Sequence, residues 1–311
     1  MALAAAQDRR CHNGSNPIDD PLIVLDHATR VLYERVRAVS QNGPLFAALE
    51  GNSPSQRPLP HGLRIVLVPG IFYRDHPETG ADGAVLRDIA ERLDIPFDTI
   101  PVDGTEGLDV AADLINTWLL AAPADSRILL FSLSKGSAEV RHALSRDRGQ
   151  EAFRQVNAWV SVSGLPFGTP SVEMVLDEAL PRAVFSVWFW LKRWKLDRVR
   201  ELLRHRPAAP FLLPAWVQFV QIAAFPLHVH LRDRRSRRLR KRLAPFGPND
   251  GFALLDELAA LPGMLYPVWG ADHYLRGTSD LPLRIQRLIE HLADLRNNFG
   301  EQPSRSGERS R

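Results

Sequence analysis

Along the middle of the chain, short and almost wholly apolar runs are followed by longer stretches in which apolar residues return every three or four positions. The runs fall at 63–68, 97–102, 127–132, 157–163, 226–231 and 264–269, lengths that suit buried strands. Between them lie segments with helical spacing, clearest at 81–93, 108–121 and 137–147. Strands alternating with helices predict an α/β fold: a mostly parallel sheet with helices on both faces. Ahead of this body, residues 21–49 read as helical, with Val24, Ala28, Val31, Leu32 and Val36 recurring at three- and four-residue intervals.

The remaining segments give the domain plan. Residues 1–17 read as a disordered N-terminus, and the polar, charged residues 300–311 as a disordered C-terminal tail. Residues 18–62 form an N-terminal helical segment and a linker rich in Pro, Ser and Gly, and 63–299 form one folded body with an inserted cap or lid at about 170–225 and a basic segment at 232–242. At 311 residues, with 45% hydrophobic and 24% charged content, the chain has the composition of a globular protein with a substantial core. Cys11 is the sole cysteine, so no disulfide forms within the chain. The apolar run at residues 1–6 is too short for a signal sequence, and the expected location is cytoplasmic.

Charge changes this picture in one place. Residues 182–242 hold 16 Lys or Arg against three acids, Asp197, Glu201 and Asp233, so a net +3 chain carries about −10 elsewhere. Trp188, Trp190, Trp194 and Trp216, four of the seven tryptophans, fall in the same segment. One reading is a lid that rests on an anionic membrane surface, peripheral to its inner face. The other is a cap whose tryptophans pack inward and whose arginines are solvated. Nucleic acid is not an expected partner, because no binding module accompanies the basic residues. Residues 207–231 lack charge, but four prolines and two glutamines argue against a regular membrane span and for a lid helix running into a buried strand.

Candidate chemistry centres on Ser132-Leu133-Ser134-Lys135-Gly136, between a strand-like run and a helix-compatible one. A sharp strand-to-helix turn needs small residues two before and two after its tip, which Ser132 and Gly136 provide, and Ser134 at the tip is a candidate nucleophile. In an acyl-transfer site the N–H after the nucleophile, here Lys135, joins an N–H from the loop after an earlier strand to hold an oxyanion. That second donor is Ile71, or alternatively Phe72, in Pro69-Gly70-Ile71-Phe72-Tyr73. His273, on a loop after the last strand-like run, is the candidate base. Asp250, in the turn Gly247-Pro248-Asn249-Asp250-Gly251, is the candidate acid, with Asp233 and Asp256 as alternatives.

The Ser-Lys-Gly elbow, the Asn-Asp-Gly turn and the Gly-Ala-Asp-His ending, in that order, resemble the α/β-hydrolase superfamily, in particular its lipase- and esterase-like members. The resemblance spans about residues 63–292. It departs at Pro69, where a histidine often precedes the oxyanion glycine, and at Ser132, where a glycine is usual. What it implies is an α/β-hydrolase catalytic domain with a helical cap, and a serine hydrolase that cleaves a hydrophobic or lipid-like carboxylic ester through an acyl-enzyme. The scheme requires no cofactor and no metal. An acyltransferase with the same residues, or a non-catalytic ligand-binding or membrane-docking protein on the same scaffold, are the alternatives.

Other residues have plainer readings. His228 and His230 alternate with apolar neighbours as on one face of a strand, a structural pair since no cysteine or carboxylate cluster completes a metal site. Glu139 and His142 have the spacing of a local surface pair on a helix. Asp75 and His76 are loop residues near the proposed oxyanion donors, and Asp272 supports the loop that carries His273.

Overall fold

The computed structural model describes residues 20–51, 58–177, 211–276 and 278–295. The expected disordered ends, most of the linker, the cap from 178 to 210 and Trp188, Trp190 and Trp194 lie outside the described residues.

Six strands form one sheet: β1 (Leu63–Val68), β2 (Phe97–Thr99), β3 (Arg127–Leu133), β4 (Val156–Val162), β5 (Gln218–Phe225) and β6 (Met264–Trp269). They lie in the order β2-β1-β3-β4-β5-β6, and every neighbouring pair is parallel. Every residue of β4 is buried, as expected of a strand covered on both faces. The two-residue period divides the side chains into two apolar layers. Ile65, Leu67, Leu129 and Phe131 face α2 (Gly43–Glu50), α3 (Ala84–Arg92) and the C-terminal helix Leu281–Leu295. Val66, Val68, Ile128 and Leu130 face α4 (Leu108–Ala121) and α5 (Gly136–Leu144). The chain leaves β1 toward β2 on one side and returns to β3 on the other, so the sheet has its switch point between the carboxyl ends of β1 and β3. The Pro69–Tyr73 loop and the Ser134 turn emerge there.

Three sequence expectations need correction. The strand expected at 226–231 is a short 3-10 turn, His228–His230, and the sheet strand is Gln218–Phe225, inside the stretch assigned to the cap. Pro226 has no N–H for the ladder, whereas the polar Gln221 is accommodated in mid-strand because its Nε2 donates to Leu258 O at 3.0 Å. Residues 211–214 have no regular structure and 215–217 turn, so among the described residues ahead of β5 this stretch holds no lid helix. Second, the 21–49 helix is two helices, α1 (Pro21–Ala38) and α2, broken at Val39, whose backbone is extended; Pro44 sits in the first turn of α2, where its missing N–H is harmless. Third, β2 stops at Thr99, ahead of Pro101.

Trp216 precedes β5, at the amino end of the sheet, opposite the Ser134 turn. Its indole N–H donates to Phe153 O at 3.1 Å. No helix among the described residues is long and apolar enough to cross a membrane.

Candidate active site

Ser134 sits at the tip of a turn that β3 and α5 together force. Its φ of 48° lies in the left-handed region, which a non-glycine residue occupies at about 1–2 kcal/mol. Three hydrogen bonds hold it there: its N–H donates to Val162 O at 3.0 Å, and its carbonyl accepts from Leu165 N at 3.0 Å and Ser137 N at 3.1 Å. Gly136 is required by packing, because a Cβ there would stand 2.7 Å from Val68 O and 2.8 Å from Pro69 O. Ser132, where a glycine is usual, is fully buried and accepts from the Trp159 indole N–H at 2.8 Å. Its hydroxyl also bonds Ser137 Oγ at 2.8 Å, which bonds Ser161 Oγ at 2.9 Å. A small polar residue thus serves two needs there: clearance, and a partner for a buried indole.

The structure brings His273 and Asp250 to this turn. Ser134 Oγ lies 3.1 Å from His273 Nε2, and His273 Nδ1 lies 2.9 Å from Asp250 Oδ2. The carboxylate can only accept, so Nδ1 carries the ring hydrogen and Nε2 is left to accept from the serine hydroxyl. Both His273 and Asp250 are buried, and the Phe252 ring packs on the imidazole with centroids 4.7 Å apart.

Asp250 is fixed by its own turn. Its Oδ1 accepts from Phe252 N at 2.8 Å and Ala253 N at 2.7 Å, which leaves Oδ2 for the histidine. Beneath the turn, the buried Arg240 of the basic helix Arg234–Leu243 donates to Asn249 O, pairs with Asp26 at 2.8 Å and donates to Thr29 Oγ1 at 3.1 Å. Burial lowers the pKa of its guanidinium, against the opposing pull of Asp26 and Asp250.

The two alternative acids are engaged elsewhere. Asp233 caps the basic helix through Ser236 N at 2.7 Å and pairs with Arg276 at 3.3 Å; Asp256 is exposed in the first turn of the helix Leu255–Ala259. Asp272 accepts from Tyr274 N, Arg276 N and Arg276 Nε at 3.1, 3.0 and 2.7 Å, closing the loop that carries His273.

Lys135 occupies the N-cap position of α5, and Ile71 lies in the turn after β1. Among the described residues neither amide donates to a backbone carbonyl. The neighbouring Phe72 has a φ of 56°, and its carbonyl accepts from Asp75 N and His76 N at 3.0 and 2.9 Å. The two loops touch: a Cβ at Gly70 would stand 3.4 Å from Leu133 O. A nucleophile, a base and an acid therefore meet at the amino end of a helix, whose dipole favours negative charge, and the loop that carries Ile71 lies against the end of β3.

Sequence reasoning missed part of this site. Glu139 is not a surface residue paired with His142; it is fully buried and pairs with the equally buried Lys135, while His142 meets Asp109 at 2.8 Å. The signal was available in the opposite charges at i and i+4. The buried Arg240 went unread because it lies in a run of arginines. His228 and His230 share a tight turn: His228 N donates to Asp26, and His230 Nδ1 accepts from Leu227 N at 2.9 Å. Among the described residues no cluster of metal-ligating side chains occurs.

A groove of about 600 Å³ lies along the edge strand β6, lined by Tyr33, Arg37, Glu50, Tyr266 and Arg284 among others; it includes none of Ser134, Asp250 and His273.

No protein-family model matches the chain, and no curated protein sequence does. Solved structures do. The carboxyl esterase MGS0156 from a metagenome superposes with a TM-score of 0.55 at 23% identity, over 79% of each chain. The mature lipase BlEst2 of Bacillus licheniformis gives 0.52 at 16% identity, over 76% of this chain and 96% of its own. With the parallel sheet, its strand order and the turn at the end of β3, these likenesses assign the chain the α/β-hydrolase fold.

Proposed function

We propose that the protein is a serine hydrolase that cleaves carboxylic esters with an apolar acyl group. The observation that carries this reading is the unbroken path from Ser134 Oγ to His273 Nε2, 3.1 Å, and from His273 Nδ1 to Asp250 Oδ2, 2.9 Å, at the switch point of the sheet. In this reading His273 takes the serine proton as Oγ attacks the acyl carbon, and Asp250 stabilises the imidazolium. The Lys135 and Ile71 amides hold the oxyanion. The proton on His273 passes to the departing alkoxide, leaving Ser134 acylated. Water, deprotonated by the same imidazole, then releases the acid and restores the serine. Partly buried Ile71, Phe72, Val172 and Phe252 belong to the apolar cluster around the turn and support an apolar acyl group. The solved esterase and lipase that share the fold point the same way.

The test is turnover of p-nitrophenyl esters of increasing chain length, with Ser134→Ala as control. Activity that rises with chain length beyond acetate and falls at least about 10⁴-fold in the variant supports the reading; activity unchanged by the substitution refutes it. Adding an alcohol acceptor distinguishes the acyltransferase, which would form the new ester in preference to free acid.

The anionic membrane surface belongs to the same proposal. Arg234, Arg235, Arg237, Arg238 and Lys241 are exposed on the basic helix while Leu239 and Leu243 are buried, and the flanking Val229 and Phe246 are 74% and 50% exposed. A cationic face between two apolar side chains suits the headgroup region of such a membrane.

A further inference from the structure

We propose that the Lys135 side chain, paired with Glu139, is a positioning device for the oxyanion hole, tying the amide after the nucleophile to the loop that presents the second amide. The inference rests on the ester-hydrolase reading above and adds a role for a side chain which that reading does not use.

A lysine whose only task is to offer its N–H has no reason to bury its ammonium. Here the side chain is fully buried: Nζ donates to Gly104 O at 2.6 Å and pairs with Glu139, one turn further along α5. Enclosing an ion pair is expensive in desolvation, and an apolar residue of similar volume would often be no less stabilising. What the ammonium provides is a directed bond to one carbonyl.

Gly104 is the link to the other half of the site. It has a φ of 81°, and a Cβ on it would stand 3.3 Å from Gly70 O and 3.6 Å from Phe72 N, the groups on either side of Ile71. Two more bonds join these segments: Tyr73 Oη donates to Val102 O and Arg74 Nη1 to Asp103 Oδ1, both at 3.0 Å. Within the second segment, Asp103 N donates to Glu106 Oε1 at 2.7 Å. The Lys135 amide and the Ile71 amide are thereby braced against one segment, and the brace on the first is its own side chain. Displacements well below 1 Å matter at such donors, because their worth depends on where the oxyanion forms.

The same enclosure holds two carboxyl groups and one ammonium. Glu106 is 6% exposed and Glu139 0%, and among the described residues Oε2 of each has no hydrogen-bond partner. Burial raises the Glu139 pKa, with the Glu106 charge adding to it, against the attraction of Lys135.

The experiment compares Lys135→Met and Gly104→Ala with the parent full-length protein in ester turnover and in the rate of labelling by a fluorophosphonate. Lys135→Met removes the brace; Gly104→Ala leaves the Lys135 and Glu139 side chains in place, strains the backbone that accepts from Nζ and crowds Gly70 O and Phe72 N, so it carries the test if the first variant fails to fold. In each folded variant, kcat is expected to fall about 100-fold with KM changed less than about threefold, and the labelling rate to fall in parallel. Folded variants that keep the parental kcat, or that change only KM, overturn the proposal and leave the hydrolase reading intact. A parent that does not label at Ser134 removes that reading and this proposal with it.

Discussion

Asp250 reaches His273 because two backbone amides of its own turn hold Oδ1 and leave Oδ2 free to accept from the imidazole. Asp250→Asn is therefore expected to lower kcat about 10⁴-fold while the fold persists, the effect of presenting the wrong histidine tautomer. Asp233→Asn, at the cap of the basic helix, should leave turnover near parental and change stability by no more than about 1 kcal/mol. Steady-state kinetics and urea unfolding of the two variants separate these roles. Ser134, Asp250 and His273 were legible in the sequence as a serine between small residues, an acid on a tight turn and a histidine after the last strand, in a fixed order. The buried side chain of Lys135 was not, since burial of a cation depends on a partner, and Glu139 was read outward toward His142. Glu139 also carries a pH signature. Its pKa is raised in the folded state above the ordinary 4.5, by burial first, so it contributes stability below that value and loses it as pH rises through the folded value. Glu139→Gln should flatten this decline, as followed by unfolding at stepped pH.

Among the elements, α1 and the basic helix have a task that neither periodicity nor charge revealed. Arg240 binds Asp26 and Thr29 of α1 on one side and the carbonyl of Asn249 on the other, so the N-terminal helix braces the turn that carries Asp250. Arg240→Met leaves the Asn249 carbonyl and the partly exposed Asp26 without this donor and is expected to cost about 1–3 kcal/mol in urea unfolding. Its kcat should fall as well, because the turn loses its support. The strands around the nucleophile were legible because they are apolar throughout. β5 was displaced by eight residues for two local reasons: Gln221 interrupts its apolar run, and the alternation of Leu227, Val229 and Leu231 with histidines mimics a half-buried strand where the chain makes a tight turn. A side-chain hydrogen bond to Leu258 O, available only in the folded molecule, resolves the first.

At the scale of the whole molecule, the order β2-β1-β3-β4-β5-β6 gathers the turns after β1, β3, β5 and β6 at one end of the sheet, which is why residues up to 139 positions apart come within hydrogen-bond reach. The alternation of strands and helices made this architecture readable. The charge is equally uneven, with a basic helix on a chain of net +3. Sedimentation with vesicles rich in phosphatidylserine should carry the protein down at low salt and release it at high salt, and reversing Arg234, Arg238 and Lys241 to Glu should weaken the partition at least about 100-fold; no partition at low salt would dispose of the membrane proposal. The central claim, an activated serine at the end of β3, is tested most directly by treating the purified protein with a fluorophosphonate and mapping the adduct by mass spectrometry, with Ser134→Ala alongside. One adduct per chain on Ser134, absent from the variant, is the predicted result; a folded protein that takes no adduct, or takes it on another serine, would contradict the account.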